Sequence, residues 1–110
     1  MSGDDDRAPL FSTRADDPEV VDQIDEFVVA LAERIDELQD AQCNSDLPTL
    51  ADLASKLAAN AVELGFPLLG NGANALDNAC RDDKAEEAHQ ALVELSEMAH
   101  RVRLGHRGAL

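Results

Sequence analysis

The sequence predicts an all-α protein, an antiparallel up-down-up-down four-helix bundle with room for a short extra helix at the N-terminus. Three observations carry this expectation. The chain has 110 residues with three Phe and no Trp or Tyr, so the aromatic residues that favour strands are scarce. Four segments show apolar residues at three- and four-residue steps. The connections between them are only about two to five residues long, which makes sequential helices antiparallel neighbours.

The elements follow in order. Residues 1–9, MSGDDDRAP, are small and charged, a composition expected to be disordered. The bundle is expected over residues 10–103, beginning with the apolar pair Leu10-Phe11. Asp17 can cap the first helix with Pro18 at its first position, where a missing N–H costs nothing. Val20, Val21, Ile24, Phe27, Val28, Leu31, Ile35 and Leu38 then mark one stripe, reaching to about Gln42. Asp22, Asp25, Glu26, Glu33, Asp36 and Glu37 fill most of the other side as a solvated face. Cys43–Asp46 reads as a turn with a cap.

The second helix is LADLASKLAANAVEL, stopped by Gly65 in a left-handed position and by Pro67. The third runs over about Pro67–Cys80, and its Gly70 and Gly72 point to a close helix–helix contact or a local distortion. Asp83 followed by Glu86 predicts a capping box for the last helix, whose stripe is Ala88, Leu92, Leu95, Ala99 and Val102. Residues 104–110 are expected to form a flexible tail.

Charge and motifs exclude several function classes. With 23 Asp+Glu against nine Lys+Arg the net charge is -14, which opposes nucleic-acid binding. MSGDDDRAPL has neither the basic nor the apolar region of a secretory signal, and no run approaches the roughly 20 apolar residues of a membrane span. A cytoplasmic protein without membrane contact is expected. Cys43 and Cys80 have no metal-ligand spacing, although helix topology could bring the two to the same end of the bundle. GNGANAL lacks the preceding strand and the following Lys-Ser/Thr of a phosphate loop. His89 and His100 lie 11 residues apart on one helix, about 16 Å along its axis, too far to share a metal. These two and His106 read as surface histidines, and no metal or other cofactor is expected.

The second helix has an unusual outer face. At about 100° per residue, with Leu57 at zero, the stripe Leu50, Leu53, Leu57 and Leu64 lies within about 40°. Ser55 falls at about 160°, nearly opposite, and is expected to be exposed with Ala51, Ala58, Ala59 and Val62 around it. Small apolar residues on a face that should be charged suit either idle alanines or a docking surface.

Around this face the sequence resembles the histidine-containing phosphotransfer (Hpt) domain, a four-helix module that passes phosphoryl groups between receiver domains. The family motif, roughly Leu-x-x-x-Ala-His-x-Leu-Lys-Gly with a later Gly-Phe-Pro, is similar without a gap to Leu50, Ala54, Leu57 and Gly65-Phe66-Pro67. The resemblance extends upstream through Ala15-Asp16-Asp17-Pro18, Phe27, Leu31, Arg34 and Leu38, and downstream through Leu68, Ala73 and Leu76.

Three departures matter. The phosphoacceptor histidine of the family aligns with Ser55, its lysine with Ala58 and its close-approach glycine with Ala59. A serine hydroxyl is a weak nucleophile without an adjacent base, its ester would hold the phosphoryl group too tightly to pass it on, and the cation for phosphate oxygens is gone. The resemblance therefore implies a non-enzymatic module with no catalytic residue. It would bind a receiver domain or histidine kinase through Ala51, Asp52, Ser55, Ala58, Ala59 and Val62, as a monomer or weak homodimer. Two other classes stay open: a phosphotransfer protein using a different residue, and a structural bundle that self-associates.

Overall fold

A computed structural model describes residues 12–14 and 16–108, and among these every regular element is a helix. Four helices occur in order: α1 Val21–Cys43, α2 Leu47–Glu63, α3 Pro67–Arg81 and α4 Ala85–Gly108. The acidic segment 1–9 lies outside the described residues, as does the start of the span in which a short extra helix was expected. The last helix continues past residue 103 to Gly108, so residues 104–108 extend α4.

α1 begins one turn later than Pro18. The Asp17 carbonyl accepts the Val20 and Val21 amides at 3.1 Å, and its side chain accepts the Glu19 amide at 2.9 Å. Asp17 thus caps a tight lead-in turn rather than the helix proper. Asp46 caps α2, accepting the Thr49 amide at 3.2 Å, with Pro48 in the first turn.

The first three helices end in the same way. At the end of α2, Gly65 has φ +88°, its N–H donates to Val62 O at 3.2 Å, and the Phe66 N–H donates to Ala61 O at 2.8 Å. This pair of bonds around a left-handed residue is a Schellman motif. Ser45 (φ +55°) ends α1 with the equivalent bonds from Ser45 to Gln42 and from Asp46 to Ala41. Asp83 (φ +59°) ends α3 with bonds from Asp83 to Cys80 and from Lys84 to Ala79. Asp83 therefore closes α3 instead of opening a capping box on α4, and Lys84 precedes that helix. The residue completing each motif is also the one before the next helix, which explains connections of only three residues.

Left-handed backbone costs a side-chain-bearing residue what it does not cost glycine. Ser45→Gly and Asp83→Gly are therefore each expected to raise stability by about 0.5–1 kcal/mol, read as a higher urea midpoint with an unchanged slope.

The helices make a four-helix bundle in which α1 touches α2 and α4, and α3 touches α2 and α4. Leu31, Leu38, Leu50, Leu57, Leu69, Leu76, Leu95 and Val102 are fully buried in its centre, and no polar or charged residue among those described is buried with them. Phe27 and Phe66 stack with ring centroids 5.8 Å apart, and the Arg34 guanidinium lies 5.7 Å above the Phe27 ring. Arg34 also donates to Asn60 Oδ1 at 3.0 Å, tying α1 to α2.

The α3 glycines answer to close contact. A Cβ on Gly70 would stand 2.5 Å from Val62 Cγ2, and one on Gly72 would collide with the Met98 methyl. Helix distortion is not needed to account for them. Among the described residues no helix is long and apolar enough to cross a membrane.

Candidate functional site

The outer face expected on α2 is narrower in the folded protein. Ala51 is only 6% exposed and Ala58 4%, so both belong to the interior and not to a surface patch. The reason lies across the seam. α3 brings Gly70 against Ala58 and Val62, and its fully buried Ala73 completes a run of small residues. Alanines at 51, 54, 58 and 61 let the two backbones approach.

Buried positions on α2 consequently run from Leu64, at about -20° from Leu57, round to Ala51 at about 120°. A core stripe centred on the leucines underestimates this arc, because α2 packs against two neighbours rather than one. Leu53, expected in the stripe, is partly exposed at its far edge. Ser55 sits just past the buried arc and is half-buried, not fully exposed. Around it, Asp52 and Ala59 are exposed and Val62 is 55% exposed. These four form one strip along α2, stepping by three and four residues.

The chemistry available to Ser55 is slight. Asp52, one turn before it, is held by Lys56 Nζ at 3.1 Å, and among the described residues no hydrogen bond joins Asp52 to Ser55. The histidines all lie on α4. His89 Nδ1 pairs with Gln42 Oε1 at 3.1 Å across the α1–α4 seam, and His100 is exposed elsewhere on α4. The side chain of His106 lies outside the described residues.

Both cysteines are free thiols, Cys43 exposed and Cys80 buried. Burial pushes the Cys80 thiol up, and the negative charge of Asp77 adds to the effect, so it is a poor nucleophile. Cys80 lines an open cleft of about 490 Å³ with Leu47, Pro48, Ala51, Asp52, Arg81 and Asp83. Ala51 thus shows its small exposed area to this cleft, at the opposite end of α2 from Val62. Among the described residues no group of three His, Cys, Asp or Glu side chains is placed to hold a metal.

A feature absent from the sequence reading lies at the C-terminal end of α2. Three consecutive residues from the N-terminal segment donate to three consecutive carbonyls there. Arg14 Nη1 reaches Glu63 O at 2.7 Å, the Ser12 hydroxyl reaches Leu64 O, and the Thr13 N–H reaches Gly65 O at 2.8 Å. The first two are the helix-end carbonyls that the Schellman motif leaves unpaired. The Arg14 cation also stands where the negative end of the helix dipole emerges. Its other nitrogen pairs with Asp17 at 3.1 Å. The Glu19 N–H and then Arg14 hold the Asp17 carboxyl below its ordinary value.

Compared with protein-family models, with curated proteins and with solved structures, the chain gives no match.

Proposed function

We propose that the chain is an Hpt-type module that has lost its phosphoacceptor and binds a receiver domain or histidine kinase without passing phosphate. The docking surface is the strip Asp52, Ser55, Ala59 and Val62 on α2.

One observation supports this reading: the residues that carry the resemblance gather on the core side and at the C-terminal end of α2. Leu50, Ala54 and Leu57 are buried, Gly65 ends the helix in a left-handed turn, Phe66 enters the core and Pro67 opens α3. Ser55 is thereby left at the border of the exposed face. An up-down-up-down course, as in that family, is supported by the pairing of residues across three of the four seams. Phe27 meets Phe66 while Arg34 meets Asn60. Gln42 meets His89 while Gln39 meets Ser96. In both pairs of helices the numbers rise on one as they fall on the other. On α3 and α4, Gly72 faces Met98, while Ala79 shares a cleft with Glu87 and Ala91.

The test is a titration of the chain against purified receiver domains and histidine kinases from the same cell. Binding is expected to weaken at least tenfold with the exposed Ala59→Arg, the thermal melt unchanged, and likewise with Val62→Glu, where one methyl group also packs on Gly70. Sedimentation of the free protein alongside separates docking from self-association. The proposal fails if nothing binds, or if binding ignores both substitutions.

A further inference from the structure

We propose that Ser12, Thr13, Arg14 and Asp17 form a releasable clasp on the C-terminal end of α2, a conformational device next to Ala59 and Val62 that opens without unravelling the helix. Among the described residues the clasp is made of polar contacts: the three donors onto Glu63, Leu64 and Gly65, and the Arg14–Asp17 ion pair. The Ser12 hydroxyl is further fixed as acceptor of the Arg14 amide at 3.0 Å.

Gly65 is what admits it. A Cβ there would stand 2.6 Å from Ser12 Oγ, 2.8 Å from Arg14 N and 2.8 Å from Thr13 Oγ1. None of the described residues from 12 to 19 belongs to the core, which begins with Val20. Among the described residues release therefore withdraws no side chain of its own from the core, and the chain entropy it frees opposes a few hydrogen bonds at the helix end. The end of α2 keeps its own bonds from Gly65 and Phe66 when the clasp opens, so opening is local. Arg14 makes the latch electrostatic, because its two partners are a carboxylate and a carbonyl at a helix C-terminus.

Any effect on docking rests on the partner-binding reading of α2, whereas the clasp itself does not. Amide hydrogen exchange on the whole chain tests it, with the Thr13 amide as reporter. That amide is expected to be protected relative to a free peptide, yet to exchange at least 100-fold faster than the amide of Leu57. Arg14→Gln should cut Thr13 protection at least threefold and leave Leu57 and Phe66 unchanged. The clasp is overturned if Thr13 exchanges as in a free peptide, if it exchanges at the Leu57 rate, or if Arg14→Gln leaves it unmoved or strips Leu57 as well. Repeating the receiver titration with Arg14→Gln reads the coupling separately. Loss of binding in every variant, with the exchange pattern intact, counts against the docking reading alone.

Discussion

Replacing Gly65 with alanine is expected to lower stability by about 2–4 kcal/mol, a large effect for deleting no interaction. Two independent costs add. At φ +88° an L-residue brings its Cβ against the following carbonyl, worth about 1–2 kcal/mol. The same methyl group enters the space held by Ser12, Thr13 and Arg14, closest to side-chain and backbone atoms at 2.6–2.8 Å. Arg14 N is backbone and cannot swing aside, so the clasp must move away and its hydrogen bonds go with it, a loss of about 1–2 kcal/mol in all because the freed chain regains entropy. A urea titration measures the sum. Gly65→Asn divides it, because Asn accepts left-handed backbone more readily but carries the same Cβ. Asn should recover about 1 kcal/mol of the loss, while leaving Thr13 exchange as fast as in the alanine variant. A loss below about 0.5 kcal/mol with alanine would contradict both costs.

Gly65 also shows how far a sequence can be read and where reading stops. Its place after Leu64, ahead of Pro67, marks a helix end by local chemistry alone, and Asp46 marks a start in the same way. Ser45 and Asp83 do the work of Gly65 at the other two ends, but a side chain hides the left-handed backbone. Asp83 followed by Glu86 even imitates a capping box. The second role of Gly65, as the floor beneath the clasp, joins residues about fifty positions apart, and no local pattern signals it. Ser12-Thr13-Arg14 reads only as a polar stretch before Asp17-Pro18. The packing of α2 fails to be legible for a different reason. A helical wheel gives the angle between residues but not the number of neighbouring helices. With α1 and α3 both against it, the buried arc is wide enough to take in Ala51 and Ala58. What remains outside the buried arc is the strip Asp52, Ser55, Ala59 and Val62.

That redrawn boundary runs between two adjacent alanines, and the same substitution at each should give opposite results. Ala58 is 4% exposed and its carbonyl faces Gly70. Ala58→Glu would drive a carboxylate into a seam with no cation to meet it, since Lys56 is already paired with Asp52 on the surface. Burial of an unpaired charge, added to overpacking where two backbones nearly touch, is expected to cost about 3–5 kcal/mol. Ala59 is exposed, so Ala59→Glu should change stability by less than about 0.5 kcal/mol. It nevertheless places a charge in the centre of the strip between Ser55 and Val62. Urea melts of the two variants test the fold, and titration of the receiver or kinase that binds the wild type tests the surface. If α2 docks as proposed, Ala59→Glu keeps the melt and loses the partner at least tenfold, whereas Ala58→Glu unfolds the protein at lower urea. Equal melts would mean that Ala58 is not in the core. An intact melt and intact binding for Ala59→Glu would mean that the strip, although exposed and smooth, touches nothing. The partner-binding reading of α2 would then have no surface to rest on.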